Sequence, residues 1–252
     1  MKIAVCIKQI PDPATAYGLN PDTLNLARPD EQVLDDTDRY GVEVGLQIAD
    51  QVDGTITLVS MGPSGNLNGI RQALAMGAHR AIVVDDPILA GSDALTTAKV
   101  LAAAIGPEGV DLVIAGTEST DGYSGVVPQQ VAELLGMPSL TYAKSVEVEG
   151  TTIKIKRQTQ SGYDTVEAQT PVVVSVTAGV VEPRYPTFKG IMEAKKKEII
   201  QTTAADLGVM PGAGQKIVTV SPVPERAGGR VITDEGEAHL AIIEILEQTK
   251  VI

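Results

Sequence analysis

The feature that most constrains the fold is a rhythm running through residues 1–180, where short β-branched runs alternate with longer segments of helical periodicity. Residues 3–7, 55–60, 81–84, 111–115 and 172–177 read as strands. Between them, residues 38–52, 66–76, 93–105 and 126–135 read as helices. In the third of these, Leu95, Ala98, Leu101, Ala102 and Ile105 recur at helical spacing. Strand, helix, strand in succession implies parallel strands with right-handed crossovers and helices on both faces. The expected class is α/β, a doubly wound, mostly parallel sheet. Composition agrees: 43% of residues are hydrophobic but only 3% aromatic, with no Trp and one Phe. Val, Ile, Leu and Ala are the usual filling of a sheet buried on both faces.

Two regions break the rhythm. Residues 144–149 and 152–157 alternate around Glu149-Gly150, which predicts a small antiparallel hairpin with one polar face. Past Thr177, residues 180–197 hold Pro183, Pro186 and the run Lys195-Lys196-Lys197. A Gly/Pro-rich stretch at 207–214 and then Pro222, Pro224 and Gly228-Gly229 follow. A last amphipathic helix carries Ala238, Ala241, Ile242 and Ile245 on one stripe. The expected division is an α/β domain over 1–199 and a C-terminal arm over 200–252 that packs on another subunit.

Charge and residue usage narrow the chemistry. A formal net charge of −12 argues against nucleic-acid binding, which needs a basic surface. The single cysteine, Cys6, excludes an intramolecular disulfide and a cysteine-built metal site. No apolar run reaches membrane-spanning length and the opening is too short for a signal segment, so no membrane insertion and a cytoplasmic location are expected. The only histidines, His79 and His239, lie far apart, and His79 reads as a helix-end residue. Neither a Walker motif nor G-x-G-x-x-G occurs. No self-contained catalytic machinery is visible, and the chain reads as a non-enzyme.

Two segments remain for function. In open α/β sheets, ligands gather beyond the carboxyl ends of the strands, at helix N-termini. Residues 115–127 leave a strand and enter a helix, with Gly116, Gly122 and Gly125 permitting close backbone approach. Ser119, Thr120 and Ser124 are donors suited to phosphate, and Asp121 is an acceptor suited to ribose hydroxyls. A second loop, 61–65, offers Ser64 as an N-cap. Both loops read equally as nucleotide site or as ordinary capped helix starts. Phe188, the only Phe, sits in a charged, proline-bounded segment with Arg184 and Tyr185. It reads either as a protein-binding anchor or as a side chain folded back over the sheet.

The motifs taken together resemble one family. Lys8-Gln9-Ile10-Pro11-Asp12 is similar to the opening of electron transfer flavoprotein beta subunits. So are Met61-Gly62-Pro63, Ala73-Leu74-Ala75-Met76-Gly77-Ala78 and Ala132-Glu133-Leu134-Leu135-Gly136. Most specific is Glu182-Pro183-Arg184-Tyr185, followed by Ile191-Met192-Glu193-Ala194-Lys195-Lys196-Lys197. With Asp206-Leu207-Gly208-Val209, the resemblance spans essentially the whole chain in the family's order.

That resemblance implies an adenine-nucleotide-binding α/β fold and a heterodimer whose alpha subunit holds most of an FAD. It also implies one buried structural AMP, and electrons arriving from dehydrogenases such as those acting on acyl-CoA in fatty acid oxidation. By resemblance, AMP contacts fall at Cys6, Asp35, Asp36, Thr37, Asp38 and Met61. They continue along Gly116, Thr117, Glu118, Ser119, Thr120, Asp121, Gly122, Tyr123, Ser124, Gly125, Val126 and Val127. A partner recognition loop over 182–197 comprises Glu182, Pro183, Arg184, Tyr185, Pro186, Thr187, Phe188, Lys189, Gly190, Ile191 and Met192, with Phe188 at the family's apolar anchor, often Leu. Asp164 matches an acid that pairs with the mobile flavin domain.

Three positions depart from the family: Asp35-Asp36-Thr37 replaces an Asn-Pro-aromatic motif, Val126 a frequent Gln, and Pro13 a Tyr near the flavin, with Tyr17 four residues on. Some members bind a second FAD in place of AMP and split electron pairs. Residues 89–94 loosely resemble a segment of theirs, whereas Glu182-Pro183-Arg184-Tyr185 favours the ordinary type. Readings of other classes are a solitary adenine-nucleotide-binding regulatory protein and an adenylyl-transfer enzyme. Against the enzyme stands the expected absence of a phosphate-binding lysine beside the glycine loops.

Overall fold

The computed structural model describes residues 1–252 except 63–65, 211, 213, 222, 225–227 and 230. The chain begins with β1 (Lys2–Cys6), β2 (Gln9–Pro11), β3 (Gln32–Leu34), α1 (Asp36–Val52), β4 (Thr55–Met61) and α2 (Asn68–Met76). It continues through β5 (Arg80–Val84), α3 (Ala94–Ile105), β6 (Leu112–Gly116), α4 (Val127–Leu135) and β7 (Ser139–Glu149). Then come β8 (Thr152–Thr159), β9 (Gly162–Gln169), β10 (Val172–Val176), α5 (Phe188–Ala194), β11 (Ile199–Thr202) and α6 (Ala238–Gln248).

Side chains on successive strand residues point to opposite faces, and the central strands spend that alternation on two cores. Ile3, Val5, Ile56, Leu58, Leu112, Ile114, Val172 and Val174 pack with Val42 and Leu46 of α1 and with Ile70 and Leu74 of α2. Their neighbours Ala4, Val59, Val113 and Val173 pack with Ala98, Leu101 and Ile105 of α3 and with Val131 and Ala132 of α4. The sheet is thus covered on both faces, as the rhythm of the sequence predicts. Its strand order is β11-β5-β4-β1-β6-β10-β7-β8-β9. Every neighbouring pair from β11 to β7 is parallel. The chain steps from β1 outward to β4 and β5, then returns across to β6 on the other side of β1. The crevice between the ends of β1 and β6 is therefore the switch point where open α/β sheets bind ligands.

The predicted hairpin forms with the predicted turn, Glu149 opposite Thr152. It is part of something larger, because β7 also runs parallel to β10 and β9 adds a further antiparallel strand. β2 and β3 form a separate antiparallel pair, and β11 extends the far edge by pairing Ile199 with Ala81. Strands β2, β3 and β11, three or four residues long, carry little local signal. Met1–Ile217 forms one compact unit. Val218–Ile252 forms another, holding α6, in which no residue is buried. Among the described residues no helix is long and apolar enough to cross a membrane.

Helix starts show how distant residues finish local signals. Helix α1 begins at Asp36, two residues earlier than expected, because Asp35 caps it by accepting from Thr37 N at 3.0 Å. Helix α2 begins two residues later than expected, at Asn68. Ser64, the expected cap, lies outside the described residues. The N-cap position, Leu67, makes no side-chain cap bond. Asn66 Oδ1 accepts from Asn68 N at 2.8 Å, and Gln9 Oε1 accepts from Gly69 N at 2.8 Å and Ile70 N at 3.3 Å. A glutamine sixty residues away in sequence thus satisfies amides that a helix start leaves open.

Candidate functional site

Because β4, β1 and β6 are adjacent and parallel, Cys6, Met61 and Gly116 end on one edge of the sheet. Helix α1 starts at the same edge and brings Asp35, Thr37 and Asp38 beneath the loop that runs from Gly116 to Val127. Asp35 is fully buried. Its Oδ1 accepts from Thr37 N and lies 2.8 Å from Thr37 Oγ1. Its Oδ2 accepts from Thr120 N at 2.7 Å and lies 3.1 Å from Thr120 Oγ1. One carboxylate therefore ties the helix start to the loop. Thr37 Oγ1 also reaches the Glu118 carbonyl at 3.3 Å, and Thr117 N and Oγ1 donate to the Val176 carbonyl at 3.0 and 3.1 Å.

Asp38 is buried one turn along. Its Oδ2 accepts from Lys8 N at 2.6 Å. A Cβ at Gly116 would stand 3.0 Å from its Oδ1, and one at Gly122 would stand 2.9 Å from Ser119 Oγ, so both glycines answer a close approach. Burial, and then the Asp35 carboxylate, push the Asp38 carboxyl well above the usual carboxylate range. Burial and the nearby Asp38 likewise push the Cys6 thiol up to about 12. Cys6 stays a thiol, without the thiolate that nucleophilic chemistry needs.

The loop is also tied to cations. Asp121, its side chain 1% exposed, pairs with Lys8 Nζ at 2.6 Å and with Arg28 Nη2. Burial alone would raise its carboxyl, but Lys8 and Arg28 outweigh that and hold it below the usual range. Lys8 Nζ also lies 3.3 Å from Ser119 Oγ. A lysine does stand beside the glycine loop, Lys8, because the residues following β1 emerge at the switch point, but its ammonium is paired with Asp121. Its position right after the first strand was the readable signal. Arg28 had none. It comes from the excursion between β2 and β3 and also donates to the Gln9 carbonyl and Gln32 Oε1, each at 3.3 Å.

Other expected residues lie apart from this network. Asp36 turns to solvent and pairs with Arg39 at 2.9 Å. Tyr123 is exposed at a φ of 48°, and Gly122, Ser124 and Val126 are exposed, with Gly125 and Val127 half-buried as α4 begins. In the first helical turn of α4, Oε1 of Gln129 and of Gln130 is buried without a hydrogen-bond partner among the described residues. Asp164 lies on β9 opposite Arg157, four strands beyond β6 and so on the order of 20 Å from it. Beside the loop opens a cleft of about 640 Å³ whose walls include Thr120, Tyr123, Leu34 and Arg39. Pro13 and Tyr17 line that same cleft together. His79, past the end of α2, accepts from Ile56 N through Nδ1 at 3.0 Å.

The segment from Glu182 to Met192 forms a surface of its own. Tyr185 is 86% and Phe188 81% exposed, so Phe188 does not cover the sheet. Phe188, Ile191 and Met192 share one exposed face of α5, at i, i+3 and i+4. Thr187 caps α5 by accepting from Gly190 N at 3.0 Å.

Comparison with known proteins adds the following. A family model described as "Electron transfer flavoprotein domain" matches residues 23–207. The electron transfer flavoprotein subunit beta of Mycobacterium leprae is 42% identical, over 99% of this chain and 99% of that protein. The subunit beta of Thermoanaerobacterium thermosaccharolyticum is 36% identical over the full length of both chains. The caffeyl-CoA reductase-Etf complex subunit CarD of Acetobacterium woodii is 33% identical over 92% of each.

Proposed function

From the premise that the chain belongs to the electron transfer flavoprotein family as a beta subunit, we propose that it forms a heterodimer with an alpha subunit. That heterodimer accepts electrons from acyl-CoA or related dehydrogenases and passes them on. FAD, held mainly by alpha, supplies the redox chemistry, and this chain supplies a platform, part of the flavin wall and a docking segment. The observation that carries the reading is the exposed apolar face of α5, which includes the only Phe of the chain. It lies in a stretch, residues 182–197, with five Lys or Arg against two Glu, a basic island on a chain of net charge −12. An apolar anchor followed by Lys195 and Lys196 suits a partner groove with an acidic rim. The stripe of α6, with Ile242 and Ile245 both exposed, suits an arm that packs on alpha.

The switch-point loop fits an adenine nucleotide, AMP in this reading. Asp35, Asp38 and Asp121 stand there, yet none of these three offers free negative charge to a phosphate. Asp35 is saturated by donors, Asp38 is shifted toward its neutral form, and Asp121 is matched by two cations. Backbone N–H groups between Gly116 and Val127, together with Ser124, would hold the phosphate. The orphaned Oε1 atoms of Gln129 and Gln130 would accept from hydroxyl or amino groups. Cys6 and Met61 would contribute backbone groups at the strand ends. Pro13 and Tyr17 line the cleft next to the loop, which suits the wall facing the flavin.

The test is co-expression with the alpha subunit followed by release and chromatography of bound nucleotides. One FAD and one AMP per heterodimer are expected. Two FAD and no AMP would instead establish the electron-bifurcating type, a second reading that the likeness to CarD keeps in view. A stable monomer binding ATP alone would overturn both. Phe188→Ala is expected to raise the dehydrogenase concentration needed for half-maximal flavin reduction while leaving the flavin spectrum intact. Unchanged reduction across dehydrogenase concentrations would remove the docking assignment.

A further inference from the structure

Glu43 is 3% exposed on α1, yet its carboxylate is crowded with donors. Oε2 accepts from the Arg184 backbone N at 3.1 Å and from Arg184 Nε at 2.8 Å. Oε1 accepts from Arg184 Nη2 at 3.2 Å and from Gln47 Nε2 at 2.9 Å. Arg184 Nη2 reaches Asp50 Oδ2 as well, at 3.2 Å. A buried carboxylate deprived of its cation is strongly unfavourable, so Glu43 admits one arrangement of the chain at Arg184. The planar guanidinium is what allows the two-oxygen grip. Its hydrogen bonds to Glu43 raise the Arg184 side chain further above its ordinary value.

The far end of the same segment is held by α2. A Cβ at Gly190 would stand only 2.5 Å from the Ala75 carbonyl oxygen, so the two helices touch through backbone there. Arg71 Nη1 donates to the Ala194 carbonyl at 3.2 Å, and Lys197 Nζ donates to the Leu74 carbonyl at 2.9 Å. Each helix thus has a terminal carbonyl answered by a cation from the other side of the contact. Between these two holds, Tyr185 and Phe188 protrude.

We propose that Arg184 is a positioning residue: by gripping the buried Glu43 it fixes the start of residues 184–194, so that the segment meets its partner preformed. The inference rests on the docking role proposed above and adds how that surface is kept in shape. A preformed surface loses less conformational freedom on binding than a loose one. Arg184 itself faces α1, so its effect passes through the placement of Tyr185 and Phe188.

The test uses the heterodimer with Arg184→Gln, Arg184→Lys, Glu43→Gln and Phe188→Ala. Hydrogen exchange over residues 185–194 is measured first, without any dehydrogenase. Stopped-flow flavin reduction by a substrate-reduced acyl-CoA dehydrogenase is then followed across dehydrogenase concentrations. Arg184→Gln is expected to speed exchange of the segment and to raise KM for the dehydrogenase about tenfold at unchanged kcat and flavin spectrum. Arg184→Lys keeps the charge without the fork and is expected to fall between. Should Arg184→Gln fail to fold, Glu43→Gln removes the charge at nearly constant volume and is read the same way. Parent-like exchange in the folded variant overturns the proposal. So does faster exchange with parent-like KM while Phe188→Ala raises KM. If Phe188→Ala leaves KM unchanged, the docking reading fails, and exchange alone still judges whether Arg184 holds the segment.

Discussion

At its N-terminal end α1 holds Asp35 and Asp38 under the glycine loop, while about one and a half turns further along the same helix Glu43 holds the start of residues 184–194, the proposed docking segment. All three acids are buried and all collect donors, but the donors differ. Asp35 gathers only uncharged donors from Thr37 and Thr120, and Asp38 next to it is pushed toward its protonated form. Glu43 meets a guanidinium and stays matched in charge. Asp38, with no cation paired to its carboxyl among the described residues, is pushed toward keeping its proton, which couples it to pH. Glu43, with an arginine, is answered by the chain that carries the arginine, which couples it to the conformation of a surface.

The largest expected effect is at the loop. Asp35→Ala removes a helix cap and orphans buried donors on both sides of the crevice, an expected loss of about 2–4 kcal/mol. Denaturant unfolding of the proposed heterodimer and its content of bound nucleotide check it together. Near-parent stability with full nucleotide content would show that the loop is held by something other than Asp35, and the contrast with Glu43 would dissolve.

Asp38→Asn sharpens the contrast in the opposite direction. The folded protein holds a proton that the unfolded chain releases, so stability falls as pH rises from the ordinary carboxylate value through the raised folded one, and stays lower above it. The amide can still accept from Lys8 N and carries no charge to bury. The variant is therefore expected to be more stable than the parent at neutral pH, with the advantage vanishing at about pH 4. Urea titrations at both pH values decide it. An equal difference at the two would mean that the carboxyl is ionised in the fold and solvated some other way.

The smallest effect is at Asp36, between the two clasps in sequence terms but facing solvent. Its pair with Arg39 is exposed on the acidic side, 77% for the Asp side chain. Asp36→Ala should change thermal unfolding by no more than about 0.5 kcal/mol. A larger loss would place Asp36 in the loop's support after all, although its side chain turns away from it.

The two regions also differ in how readable they were. The loop's backbone course was legible, since a strand ending in glycine followed by a capped helix is a local pattern, and Asp35 and Asp38 stood among the expected residues. Lys8 was overlooked as a neighbour of the loop although it follows β1 directly. In the docking segment the odd placement of Phe188 was visible, but either of its two readings was consistent with composition. Its exposure removes the one in which the ring folds back over the sheet.

The periodicities by themselves determined the doubly wound α/β architecture, the five expected strands and four expected helices of residues 1–180 to within about two residues at the boundaries and the hairpin turn, because each rests on residues a few positions apart. The recurring motifs pointed to the family. Only the tertiary structure decided that Arg28 reaches Asp121 across 93 positions and that Arg184 reaches Glu43 across 141. The same holds for Gln9 capping α2 and for β11 closing the sheet edge beside β5. Such pairings depend on which surfaces the crossovers bring face to face, and a charge carries no local mark of the distant partner it will meet.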